Sequence, residues 1–219
     1  MGHRLVDLSH DIESGMTTYP GLPGPVIEAH LTREDSRTRY APGTEFHIGR
    51  LEMVGNTGTY LDTPFHRYAD GHDLSAIPLA AVAGVPGVVV DATGPAIGAD
   101  AFAGVDLEGK AVLVRTGWSR HWRTPEYGER GHPYLDTSAA ELLAGAGPRL
   151  VGIDSVNIDG TADGERPAHT ALLGAGIYVL EHLTGLDQLD APGFEVFAVP
   201  VKVNDLGTFP VRAFALWRT

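Results

Sequence analysis

The chain of 219 residues contains no cysteine. Disulfides, thiolate zinc sites and a cysteine nucleophile are therefore excluded, and any bound metal has to be held by His, Asp or Glu. Basic residues are also scarce: 16 Lys and Arg stand against 28 Asp and Glu, a formal charge of −12. Nucleic acids and anionic membranes attract basic patches, so the expected partner is a small-molecule substrate, with no nucleic acid and no membrane. No run approaches the roughly 20 apolar residues needed to cross a bilayer, and no basic segment followed by an apolar one opens the chain. These absences predict a cytoplasmic protein. What is present is an ordinary globular balance, 43 % hydrophobic and 20 % charged, in a length that suits one domain over residues 1–219.

Hydrophobic periodicity sets out the elements. Leu5 to Ile12 alternate as a first strand, and Tyr19 to Pro25, rich in proline and glycine, form an irregular loop. Thr44 to Val54 reads as a strand with Phe46, Ile48 and Met53 as its apolar members. Leu74 to Leu79 reads as a short helix or turn. Val85 to Asp91, Ala111 to Thr116 and Leu150 to Ile153 are short apolar runs of the kind that sheets bury on both faces. Between Trp118 and Tyr134 the chain is too irregular for a sheet and reads as a loop, a lid or an oligomer contact. Ser138 to Glu141 has the spacing of a capping box, which predicts a helix through Ala144 that stops at Gly145 or Gly147. Phe194 to Val203 and Val211 to Trp217 complete the strands.

Chemistry concentrates in three places. In Asn56 to His66 a strand-like run ends among glycine and proline turn signals, where side chains are displayed instead of buried. An extended backbone turns Tyr60 and Asp62 to one face, and the turn at Pro64 brings His66 back towards them. Asp154 to Gly160 gathers carboxylates and an amide at a strand end, where open α/β sheets bind ligands. Arg166 to Glu181 puts His169 at a helix start and Glu181 on the strand that follows. His72 reads as a loop histidine, with a contact to the site as the alternative. A lone His or Glu is more often structural, but Asp62, His66, His169 and Glu181 together offer the nitrogen and oxygen donors that suit Zn²⁺ or Mn²⁺.

Gly58, Thr59, Asp62, Pro64 and His66 resemble the signature His-x-Gly-Thr-His-x-Asp-x-Pro-x-His of the cyclase family, the group that includes bacterial kynurenine formamidases and isatin hydrolase. Asn56 and Tyr60 stand where that signature has its two leading histidines. The resemblance continues in Asp7 to His10, Tyr19 to Gly21, Pro167 with His169, Gly176-Ile177 with Glu181, and Pro210-Val211-Arg212, in unchanged order. It implies a compact α/β domain with a mixed, partly barrel-like β-sheet and flanking helices, a swivelling β/β/α fold, assembled as a homodimer or homotetramer. It also implies a metal position held by Asp62, His169 and Glu181. A second position would rest on Asn56, Tyr60 and Asp62, where an amide oxygen binds weakly and a phenol has first to lose its proton. One zinc or manganese ion per chain, or none, is the expectation.

The resemblance further implies His66 as general acid and base, since an unperturbed imidazole titrates near neutrality. Tyr60 reads as hydrogen-bond donor to a developing oxyanion, where the second metal position would stand, and Tyr19, Asn56, Pro64 and Phe65 read as substrate contacts. The activity so implied is hydrolysis of a small amide, lactam or formamide. Two alternatives stand beside it: a metal-free lyase or isomerase of specialised metabolism using Tyr60 and His66, and a non-catalytic small-molecule-binding protein.

Overall fold

The apolar runs become the middle of one large sheet. The computed structural model describes residues 2–162 and 164–218. In chain order its strands are β1 (His3–Asp7), β2 (Val26–Leu31), β3 (Ile48–Glu52), β4 (Tyr60–Asp62), β5 (Ala83–Asp91), β6 (Ala96–Ile97), β7 (Ala111–Arg115), β8 (Tyr134–Leu135), β9 (Leu150–Ile153), β10 (Tyr178–Glu181), β11 (Phe194–Phe197), β12 (Thr208–Pro210) and β13 (Phe214–Arg218). The helices are α1 (Arg33–Ser36), α2 (Thr137–Ala146) and α3 (Pro167–Gly174). Nine strands pair in the order β1-β13-β11-β5-β7-β9-β10-β4-β12. The centre, β5-β7-β9-β10, is parallel, and the flanks are antiparallel. This single α/β domain with its curled, mixed sheet is the architecture the resemblance implies.

Alternation along the central strands divides the core into two layers. Val112, Val114, Val151, Ile153 and Val179 face one layer with Leu143 of α2 and Leu172 of α3. Leu113, Leu150 and Leu180 face the other, with Leu61, Val85 and Val196. Burying each such side chain stabilises the fold by about 1.5–3 kcal/mol, so the site at the strand ends is built on the stiffest part of the molecule.

Several expected boundaries move. The first strand covers His3–Asp7 and stops before Leu8, whose N–H bonds the Ala213 carbonyl at 2.9 Å. The strand expected over Thr44 to Val54 is only Ile48–Glu52 and pairs with β2 in a separate two-stranded sheet. Of its apolar members Phe46 is 51 % exposed and Ile48 46 %, while Met53 is half-buried. The capping box of Ser138 and Glu141 is replaced by Asp136, whose carboxylate accepts the Ala139 N–H at 3.0 Å while Ser138 bonds to that same carboxylate. The helix does stop at Gly147, in the left-handed conformation that glycine adopts without strain (φ 69°). The run expected from Leu74 is a pair of 3₁₀ turns, and the stretch from Trp118 is two more, without a sheet strand until β8.

Candidate metal and catalytic site

Strands β9 and β10 end side by side, and β4 runs back along β10 with β12 along β4. The register sets Tyr60 opposite Glu181 and Asp62 opposite Thr208. Pro64 starts a 3₁₀ turn over Pro64–His66 that folds His66 back over the end of β4. Gly207 makes room for this turn, since a Cβ there would stand 2.5 Å from the His66 backbone nitrogen. From the other side, Asp159 in the loop after β9 holds the start of α3. Its carboxylate accepts the Ala168 N–H at 2.6 Å, the His169 N–H at 3.0 Å and His169 Nδ1 at 2.6 Å.

A carboxylate only accepts, so the Asp159 bond puts a proton on His169 Nδ1 and leaves Nε2 as the nitrogen that either a second proton or a metal ion can take. That Nε2 lies 3.7 Å from Asp62 Oδ2 and 3.7 Å from Glu181 Oε1. Asp62 Oδ2 and His169 Nε2 are both buried and have no hydrogen-bond partner. Leaving such groups unsatisfied costs about 1–3 kcal/mol each, more where charge is involved. Two bonds of about 2.1 Å join atoms up to about 4.2 Å apart, so these two atoms fit a single divalent ion between them. Asp62, His66 and His169 each offer a ligand atom, all within 4.8 Å of one another, so this group has His66 in place of the Glu181 that the resemblance implies, whose two oxygens accept from Tyr60 and Ile158.

The charge balance also suits a cation. Asp62, Asp159 and Glu181 are buried carboxylates around one imidazole. Burial works against charge on His169, yet Glu181, Asp159 and Asp62 hold its pKa up to about 10. Burial, with the charge of Asp62, pushes Glu181 above the usual carboxylate range against the pull of His169. A cation at this spot would relieve the same excess of negative charge.

Tyr60 does not stand free. Burial, then the charges of Glu181 and Asp62, raise its pKa well above 10 and keep the phenol protonated. It donates that proton to Glu181 Oε2 at 2.5 Å, while Glu181 Oε1 accepts the Ile158 N–H at 2.6 Å. Thr208 was not singled out by the sequence. Its hydroxyl donates to Asp62 Oδ1 and lies 2.8 Å from His66 Nδ1. With its one proton on the carboxylate, Thr208 can only accept from His66, which leaves His66 Nε2 as the basic nitrogen.

A pocket of about 270 Å³ opens over this cluster, lined by Tyr19, Leu22, Asn56, Tyr60, His66, Arg67, Asn157, Arg166, His169 and Glu181. Tyr19 and Asn56 thus take the wall positions that the sequence predicts. Pro64 and Phe65 do not line it: Pro64 is buried at the start of the turn, and the Phe65 N–H bonds the His72 carbonyl at 3.2 Å. His72 Nε2 bonds the Tyr178 hydroxyl at 2.7 Å and also stays off the wall. Asp159 lies in the strand-end cluster the sequence shows, and its role becomes visible only once α3 docks against it. Thr208 and Arg67 carry no local sequence signal.

Residues 6–160 match the family model described as putative cyclase. The chain belongs to the cyclase family. Among cyclase-family relatives, it is 30 % identical over 210 residues to a kynurenine formamidase of Bacillus cereus, with 95 % of each chain covered. It is 31 % identical over 213 residues to a kynurenine formamidase of Geobacillus thermodenitrificans, again with 95 % of each covered. Among solved structures it is similar to isatin hydrolase A from Labrenzia aggregata bound to benzyl benzoate, with a TM-score of 0.84 and 26 % identity over 99 % of this chain and 94 % of that one.

Proposed function

We propose that this cyclase-family protein hydrolyses a C–N bond of a small amide, formamide or lactam, using one zinc or manganese ion. The observation that carries the proposal is the pair of buried, unpartnered atoms Asp62 Oδ2 and His169 Nε2, 3.7 Å apart beneath a pocket with His66 on its wall. Relatives named kynurenine formamidase and isatin hydrolase support the reaction class. Asp62 and His169 would hold the ion, with Glu181 Oε1 as third ligand through its remaining lone pair. Such an ion supplies Lewis acidity, polarising a carbonyl and lowering the pKa of water.

The chain's own residues do the rest. Asp159 fixes the His169 tautomer. Thr208 and Asp62 fix that of His66, so its Nε2 takes a proton from the water that adds to the carbonyl carbon. The same nitrogen returns the proton to the departing nitrogen as the C–N bond breaks. Tyr60 holds Glu181 in place, and Tyr19 and Leu22 give the pocket apolar lining. The metal-free reading needs the Tyr60 proton for the substrate, and the Tyr60–Glu181 bond disfavours it. Turnover of N-formylkynurenine and isatin tests the reaction class, and His66→Ala should lower kcat by roughly 10²- to 10⁴-fold. Full activity in a folded His66→Ala protein would remove His66 from the mechanism.

No described helix is long and apolar enough to cross a membrane. For the assembly we propose a homodimer or homotetramer in which the small sheet of β2 and β3 meets a second copy. Ile27 and Leu51, paired with each other on one face, are close to half exposed, as are Val26 and Ile48 on the other, apolar surface of the kind that interfaces cover. Light scattering of the pure protein tests this, and a monomer that persists at high concentration would contradict it.

A further inference from the structure

We propose that Arg67 is a specificity residue that binds an anionic group, a carboxylate, on the substrate. This rests on the hydrolase reading of the pocket and adds the class of molecule it admits. The protein carries a formal charge of −12, so a cationic pocket wall is not what its composition leads one to expect. Yet the two charged side chains that line the pocket apart from the metal-site residues are both arginines. Each is tied to a site histidine by the chain itself: Arg67 follows His66, and Arg166 precedes α3, in which His169 is the third residue.

Arg67 is held where an anion could meet it. Its Nε donates to Thr170 Oγ1 at 3.3 Å, beside His169 on α3, and its guanidinium lies over the Tyr68 ring, 5.3 Å from the centroid. These contacts fix the plane of the group while using one of its five N–H donors. Among the described residues no carboxylate forms an ion pair with it, and its outer edge keeps the fork geometry that matches a carboxylate with two parallel bonds. Arg166 is anchored through Nη1 to the Gly160 and Glu165 carbonyls, at 3.1 and 2.6 Å. The Asn56 and Asn157 amides add polar lining, and Tyr19 and Leu22 add apolar lining. A substrate with a planar apolar body, a scissile amide over Asp62 and His169, and a carboxylate directed at Arg67 satisfies all three surfaces.

The test uses a matched pair of formamides, 3-formamidobenzoate and its neutral carboxamide, with the wild type, Arg67→Gln and Arg67→Lys. The wild type should prefer the acid, and Arg67→Gln should lower the acid-to-amide ratio of kcat/KM by about 10-fold or more, chiefly through KM. Arg67→Lys should fall between the two, since it keeps the charge and loses the fork. The same pair titrated calorimetrically gives the ratio of Kd values whether or not the compounds are turned over. An acid preference in binding that Arg67→Gln abolishes, without turnover of either compound, would sustain the Arg67 assignment and sink the hydrolase reading. A ratio unchanged by Arg67→Gln in a folded protein, or binding of neither compound, would overturn the assignment.

Discussion

At the scale of single residues, the site depends on groups that do not touch a ligand. Asp159 orients the His169 ring, and carboxylate partners of this kind typically affect metal affinity 10- to 100-fold. Asp159→Asn should therefore weaken metal binding by that factor, measured by competition with a chromogenic chelator, and an unchanged affinity would deny the role. The sequence displays Asp62, His66, His169 and Glu181 as a donor set, because local spacing and turn signals mark them. It does not display Thr208, which meets Asp62 across 146 positions of chain. Nor does it show that Tyr60 and Glu181 satisfy each other. Restoring the two absent histidines in Asn56→His with Tyr60→His should break that bond, raise metal content above the wild-type level and add activity on N-formylkynurenine. Unchanged metal content in the double variant would show that the Tyr60–Glu181 pair is not what limits the site.

At the scale of elements, local rules locate a helix or strand well and its ends poorly. The helix α2 was legible from its apolar residues and glycine stop, but two acceptors compete for its start, and Asp136 lies two residues ahead of the expected Ser138. Asp136→Ala should cost about 0.5–2 kcal/mol, the usual loss of an N-cap, whereas exposed Glu141→Ala should cost close to nothing. Thermal melting separates the two, and the reverse order would restore the capping box. Strand β12 is three residues long and carries no period of its own. It exists because β4 offers it a backbone edge, which no local pattern reveals. Ile27 and Leu51 of β2 and β3 have the alternation of a half-buried sheet, yet both stay close to half exposed.

At the scale of the whole molecule, the buried central strands followed from the apolar runs and the mixed, curled sheet from the family resemblance, but the strand order followed from neither, because order depends on pairings far apart in sequence. One consequence of the complete fold concerns pH. His10 stacks on Trp122 with ring centroids 4.0 Å apart, next to His182, whose Nδ1 lies 2.8 Å from the Tyr127 hydroxyl. Burial, with the charge of Arg123 nearby, lowers the His10 pKa to about 4, and burial lowers that of His182 to about 3. Both folded values lie below the unfolded one near 6.5, so the unfolded chain binds more protons between them. Their linkage leaves stability intact above about pH 6.5 and erodes it as pH falls towards 4. For His10 alone the loss at pH 5 is about 2 kcal/mol, at about 1.4 kcal/mol per unit. Melting at pH 7 and pH 5 should therefore show a shallower fall in His10→Phe, which keeps the stack, than in the wild type; equal falls would contradict a buried neutral His10.

The proposed hydrolase would hold one ion between Asp62 and His169, with Tyr60 standing where the family signature has a histidine. Elemental analysis after exhaustive dialysis against metal-free buffer measures this directly, on the wild type and on Asp62→Asn, His169→Ala and His66→Ala. The prediction is one equivalent of zinc or manganese per chain in the wild type and in His66→Ala, and none in Asp62→Asn or His169→Ala. Two equivalents in the wild type, or none from protein purified with either metal supplied, would contradict it.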